Sequence, residues 1–187
     1  MRIIAGIAKG MTLAVPKGAD TRPTSDRVRE AIFSSLGERV IDAEVLDLYS
    51  GTGALGLEAG SRGAHSVMFV EKARPCLDVI EKNLASFQKN RGVTCEFDLR
   101  RGDVFAVLKT LGRRFSLIFA DPPYADDPAT LLSHAQLRQL LAPGGLLVLE
   151  MSKRAQLGAS LLWELEREAA YGDTRVCYFR AARVAGD

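Results

Sequence analysis

The chain has 187 residues, 47% of them hydrophobic and 26% charged, with a formal net charge of +2. That length and apolar content allow one sizeable core with a small appendage and leave no room for a second full domain. The small net charge makes no global demand for nucleic acid, no stretch approaches the roughly 20 apolar residues that span a bilayer, and the well-separated Cys76, Cys95 and Cys177 indicate neither a disulfide framework nor a zinc site.

The N-terminal apolar stretch Ile3-Ile4-Ala5 is broken by Gly6, Lys9 and Gly10, too soon for a secretory leader. We therefore expect a cytoplasmic protein whose cysteines are core thiols, with no membrane partner, no metal and a monomeric default. Charge is unevenly spread: residues 1–30 hold six basic side chains, Arg2, Lys9, Lys17, Arg22, Arg27 and Arg29, against three acidic ones. Such a local excess suits phosphate contact, and equally suits a solvated surface.

In chain order, residues 2–15 have two short apolar stretches around Ala8-Lys9-Gly10, which predicts a hairpin apart from the main sheet, closed by Pro16 and Gly18. Thr21-Arg22-Pro23-Thr24-Ser25-Asp26 reads as a turn that caps a helix with Val28, Ile32 and Leu36 on one face and Gly37 at its end. From Val45 onward strand and helix alternate. Strands are predicted over 45–49, 66–71, 93–99, 115–120 and 146–151, several being continuous apolar runs of the kind buried on both faces. Helices are predicted after Pro75, after Asp103 (Val104, Val107, Leu108, Leu111) and over 131–141, with Pro143-Gly144-Gly145 as a turn. At the end, 163–169 and 174–181 joined by Tyr171-Gly172-Asp173 read as a hairpin that adds an antiparallel edge strand. The expected fold is α/β: a doubly wound, mostly parallel Rossmann-like sheet with that antiparallel edge, plus a small N-terminal β-hairpin. We divide the chain into an extension, 1–20, and a main domain, 21–187.

In an open parallel sheet, ligands collect beyond the carboxyl ends of the strands, where strand order reverses. The polar residues fall at those ends. Gly51, Gly53 and Gly56 form GxGxxG after the first strand, weak evidence alone because a dinucleotide fold shows the same glycines. Glu71 ends the second strand, where a carboxylate accepts hydrogen bonds from ribose hydroxyls, a feature common to NAD and S-adenosylmethionine. Three features separate these cofactors. Asp47, inside the first strand, suits a cationic ammonium and would repel a pyrophosphate. Asp103 suits an adenine amino group. Asp121-Pro122-Pro123-Tyr124 ends the fourth strand and makes a pocket for a planar amine, for which hydride transfer has no obvious use. There the Asp121 carboxylate and Pro122 carbonyl accept the two N–H bonds of the amine, the prolines donate nothing in return, and Tyr124 stacks on the ring. Taken singly, an acid before two prolines can simply cap a helix; His65 and His134 lack partner motifs and read as surface residues.

These residues resemble the bacterial guanine-N2 methyltransferases of 16S ribosomal RNA, small class I S-adenosylmethionine-dependent enzymes that act on guanine 966. Arg2-Ile3-Ile4-Ala5-Gly6, Lys9-Gly10, Leu13, Pro16 and the run from Thr21 to Phe33 are similar to the family's N-terminal signature, the most specific segment. Asp47-Leu48-Tyr49-Ser50-Gly51-Thr52-Gly53 is similar to its cofactor loop and Asp121 to Tyr124 to its catalytic motif. The resemblance implies S-adenosylmethionine held by Asp47, Tyr49, Ser50, Gly51, Thr52, Gly53, Glu71, Lys72, Asp103 and Val104, with Arg22, Pro23 and Thr24 closing over its methionine end. It implies Asp121, Pro122, Pro123 and Tyr124 as the amine pocket, RNA contacts through Arg2, Lys9, Lys17 and Arg27, and 16S rRNA within an assembled or assembling small subunit as partner. Met11 departs from the pattern, since relatives often carry a basic residue there. Adenine-N6 methylation on DNA or RNA is the nearest alternative, because the tetrad serves any conjugated amine; an NAD oxidoreductase and a non-catalytic RNA-binding module are the others.

Overall fold

The computed structural model describes residues 1–16, 25–158 and 160–183. Seven strands, β1 (Glu44–Leu48), β2 (Ser66–Glu71), β3 (Glu96–Arg101), β4 (Phe115–Ala120), β5 (Leu141–Ser152), β6 (Trp163–Tyr171) and β7 (Thr174–Ala181), form one sheet in the order β3-β2-β1-β4-β5-β7-β6. β1 to β5 run parallel; β7 is antiparallel to β5, and β6 to β7. The chain starts at β1, works outward to β3, then returns to the other side of β1 through β4. The reversal point therefore lies between the tips of β1 and β4, where a crevice opens.

Helices cover both faces: α1 (Asp26–Leu36), α2 (Ala54–Ser61), α3 (Arg74–Phe87), α4 (Val104–Leu108), α5 (Pro128–Leu132) and α6 (Ala135–Leu140). Because side chains alternate along a strand, Val45, Phe69, Leu117, Phe119 and Val148 enter one core with α1 and α2, while Leu46, Leu48, Ile118, Leu147 and Leu149 enter a second core with α4, α5 and α6. Asp47 lies on the first of these faces, in register with Phe69 and Phe119.

Several elements differ from expectation. The 93–99 strand is displaced to Glu96–Arg101. The helix after Asp103 stops at Leu108, and the single helix expected over 131–141 is two, interrupted at Ser133 and His134, with His134 at the N-cap of α6. Pro143-Gly144-Gly145 is an irregularity inside β5: Phe115 pairs with Leu141 but Leu117 with Leu146, so the excess residues loop out. Asp127, the unexpected cap of α5, accepts a hydrogen bond from the Ala129 amide at 2.9 Å.

The N-terminal segment forms a hairpin with one antiparallel bridge, Arg2 to Thr12, outside the seven-stranded sheet. It is nonetheless firmly docked, with Ile3, Ala8 and Leu13 buried in the first core. Glu58 of α2, fully buried, accepts hydrogen bonds from the Ile4 and Ala5 amides at 2.8 and 3.0 Å and from Arg62 at 2.8 Å, and faces the buried Arg29 guanidinium at 3.6 Å. Arg29 in turn donates to Asp26 and to the Arg2 carbonyl. Gly6 meets Ser61 so closely that a Cβ would lie 1.7 Å from its carbonyl oxygen, which explains the glycine. No helix among the described residues is long and apolar enough to cross a membrane.

Candidate functional site

Directly after β1 the backbone turns through Tyr49, Gly51 and Gly53, all at positive φ (56°, 55° and 76°), a path that favours glycine and strains Tyr49. Ser50 pins this turn to β2: its hydroxyl donates to the Asp47 carbonyl at 2.6 Å and accepts from the Val70 amide at 3.0 Å. Gly53 then begins α2 in the left-handed conformation. The third glycine has a packing role, since a Cβ at Gly56 would lie 2.4 Å from the Phe69 ring.

Two carboxylates brace the turn. The Asp47 carboxylate accepts from the Gly56 amide at 2.9 Å, tying strand to helix. Burial pushes its pKa up to about 8; the Gly56 hydrogen bond opposes the rise and the charge of Glu71 adds to it. Glu71 accepts from the Gly51 amide at 2.9 Å through one oxygen and from the Lys72 and Ala73 amides, both at 2.8 Å, through the other. A carboxylate has about four lone-pair sites, so ribose hydroxyls can join these bonds. From behind, Asn83 of α3 donates to the Thr52 carbonyl at 3.0 Å and exchanges hydrogen bonds with the Ala14 backbone. One side chain thus joins the glycine turn to the N-terminal segment.

A cleft of about 590 Å³ opens over this turn. It gathers Asp47, Tyr49 to Thr52, Glu71, Lys72, Val104 and, from the β4 tip, Asp121 to Tyr124. Predictions scattered over 78 positions of sequence thus meet in one cavity. Burial, with the charges of Asp126 and Asp103, pushes the Tyr49 hydroxyl up to about 12, so it stays a neutral donor at physiological pH. Tyr124 is half exposed, its hydroxyl 2.8 Å from Thr174 at the start of β7. Asp103 does not line the cleft: it caps α4 by accepting from the Phe105 amide at 3.0 Å and faces Lys72 at 3.7 Å. Gly53 lies just behind the lining as the cap of α2. Arg2, Lys9 and Arg27 are exposed; Lys17, Arg22, Pro23 and Thr24 lie outside the described residues.

Sequence reasoning missed Met1, Val15, Pro16, Leu55 and Cys76, which also line the cleft. Cys76 is therefore a half-buried wall residue and not the core thiol expected, whereas Cys95 and Cys177 are buried. It also missed Glu58 and Asn83, both of which left a signal. Glu58 is the one acid in the otherwise small and apolar helix Ala54–Ser61, and Asn83 stands on the apolar face of α3 between Ile80 and Phe87. Among the described residues no group of three or more His, Cys, Asp or Glu is placed to hold a metal ion.

A sheet in this order, with a glycine turn after β1, an acid ending β2 and an amine-type tetrad ending β4, defines a Rossmann-like class I methyltransferase fold. Comparison with solved structures agrees: yhhF of Escherichia coli, described as a candidate methyltransferase, superposes with a TM-score of 0.78 at 30% identity, covering 97% of this chain and 98% of that one. The chain belongs to the family described as conserved hypothetical protein 95, whose profile matches residues 1–180. Relatives include YlbH of Bacillus subtilis (strain 168), described as a candidate rRNA methyltransferase, 32% identical over 96% of this chain and 98% of that one. Ribosomal RNA small subunit methyltransferase D of Haemophilus influenzae is 32% identical over 92% of this chain and 89% of that one.

Proposed function

We propose that the protein transfers a methyl group from S-adenosylmethionine to the exocyclic N2 amine of a guanine in 16S ribosomal RNA. The observation that carries the reading is the convergence of the β1 glycine turn and the β4 tetrad on one cleft. The site fits the donor: a Cβ at Gly51 would meet nothing nearer than the Tyr49 carbonyl oxygen at 3.9 Å, so the glycine leaves open space on the cleft wall. Asp47 would take the ammonium end, Glu71 the ribose, and Val104 the adenine. When bound, the donor supplies an electrophilic sulfonium methyl and leaves as a neutral thioether.

The chain's own residues do the rest. A base amine is a poor nucleophile because its lone pair is delocalised into the ring. With the Asp121 carboxylate and Pro122 carbonyl accepting its two N–H bonds, the nitrogen is oriented and its remaining pair is aimed across the cleft. Tyr124 stacks on the base, so most of the rate gain is proximity and orientation. Once the N–C bond has formed, the nitrogen bears a positive charge and gives its extra proton to Asp121 or to water. The exposed Arg2, Lys9 and Arg27, with Lys17, supply phosphate contacts around the N-terminal segment, which we assign to RNA docking within a small-subunit particle. A base inside a helix must be turned out of its stack to enter. This substrate would place the protein in the cytoplasm.

The test is direct. Purified protein with labelled S-adenosylmethionine is given small-subunit RNA or particles from a strain lacking the modification, and the labelled nucleotide is mapped by mass spectrometry. Label on a guanine N2 is the expected result; label on adenine N6 would overturn it.

A further inference from the structure

Beside the main cleft lies a second cavity, of about 270 Å³, that shares one wall with it: Tyr124 lines both. Its other walls are the start of α1 (Arg27, Val28), Thr174 and Tyr171 of the β6–β7 hairpin, and Glu150 of β5. Glu150 is 94% buried, being 6% exposed, an unusual position for an acid on a parallel-sheet strand. Strand register explains its placement. Ala120, the last residue of β4, pairs with Leu149, and Asp121 and Glu150 are the residues that directly follow this last paired rung. Both follow Phe119 and Val148 by the two-residue repeat of a strand, on the sheet face that carries Asp47. Asp47 stands on the same face two residues below them, level with Phe119 and Val148.

We propose that the target base lies across the junction of the two cavities, its N2 amine held by Asp121 in the main cleft, and that Glu150 in the second selects guanine by accepting a hydrogen bond from N1–H. The inference rests on the guanine-N2 reading above and supplies its specificity. Guanine presents N1–H and N2–H as adjacent donors, and ionised carboxylates are acceptors only. Adenine presents an N1 lone pair beside its amine, which would set acceptor against acceptor at the buried Glu150. A buried group left unpaired in this way discriminates by about tenfold or more. The Tyr124 hydroxyl, fixed to Thr174 at 2.8 Å, keeps the stacking ring at the junction of the two cavities.

The experiment compares target RNA carrying guanine with the same RNA carrying 2-aminopurine at the modified position. The analogue keeps the N2 amine but has a bare N1 and no O6. Wild-type protein is expected to prefer guanine by at least tenfold in kcat/KM. Glu150→Gln, whose amide can donate to a bare N1, is expected to narrow that preference by about tenfold; loss of O6 is common to both proteins and cancels in the comparison. Thermal unfolding and S-adenosylmethionine binding of the variant should match wild type. An unchanged preference in a folded E150Q overturns the proposal. Equal use of the two RNAs by wild-type protein does so without any variant. Failure of wild-type protein to methylate any guanine would instead overturn the parent reading.

Discussion

On the β1–β2 side of the cleft, Asp47, Ser50 and Glu71 are each bonded to backbone groups of the turn or the elements that flank it, Asn83 braces the turn from behind, and Glu58 ties α2 to the N-terminal segment. On the β4 side, the tetrad is shaped by two fixed proline rings and a tyrosine hydroxyl resting on Thr174, and its ring stands half in solvent. One half is a preformed socket, suited to a small ligand of constant shape. The other is an open edge, suited to a base arriving on a large polymer. Variants on the two sides should therefore fail differently: the socket through folding and cofactor affinity, the edge through turnover.

The largest effect belongs to the edge. Asp121→Ala removes an acceptor from the amine and the nearest proton acceptor, and methyl transfer should fall on the order of a hundredfold or more. S-adenosylmethionine affinity, measured by calorimetry, should stay within a few-fold of wild type. A parallel loss of cofactor binding would erase the distinction between the halves.

On the socket side, Glu58→Ala leaves the buried Arg29 cation with only the half-exposed Asp26 carboxylate and frees the Ile4 and Ala5 amides. Breaking a buried pair costs about 3–5 kcal/mol, so urea unfolding should shift strongly and residues 1–13 should lose amide-exchange protection. Gly56→Ala is a smaller injury of another kind. Its Cβ would lie 2.4 Å from Phe69 and 2.7 Å from Val67, both in the core. Overpacking of this type costs about 1–3 kcal/mol, and the displaced amide should loosen Asp47 and weaken cofactor binding with turnover per bound cofactor little changed.

Asp47 also gives the socket a pH signature. Its pKa is about 8 in the folded chain against an ordinary 3.8, so the folded state binds more protons between those values. Stability from this group is complete below pH 4 and is lost as pH rises through 8. Thermal melts of the ligand-free protein from pH 5 to 9 should show wild type losing ground relative to Asp47→Asn. The variant keeps a carbonyl acceptor for the Gly56 amide and has nothing to titrate.

Which parts of this arrangement were legible in the chain follows from the range of the forces. Buried parallel strands write themselves as apolar runs, so β2 and β4 and the residues at their tips could be read, as could the turn that Gly51 and Gly53 require. The docking of the N-terminal segment could not. It depends on Glu58, Ser61 and Asn83 bonding to backbone 53 to 69 positions away, and no local pattern encodes such a partner. Pro143-Gly144-Gly145 misled because a bulge inside a strand and a turn before one use the same residues. Asp103 is ambiguous because a helix cap and a ligand acceptor ask for the same side chain, and one of its oxygens caps α4. Glu150 stood out in no local pattern because one acid in an apolar run carries no motif; only the Ala120–Leu149 register brings it to the end of β4.

The smallest test returns to the open edge. Tyr124→Phe removes the hydroxyl that touches Thr174 but keeps the ring that would stack on the base. A hydrogen bond of this kind contributes about 0.5–1.5 kcal/mol net, and the half-exposed ring puts it at the low end. Turnover should therefore fall by less than about tenfold, with KM for RNA rising slightly as the ring gains freedom, while Tyr124→Ala removes the stacking face and should cost much more. Equal losses in the two variants would mean that the hydroxyl, through Thr174, does the positioning and that stacking contributes little. The edge would then be held as tightly as the socket it faces.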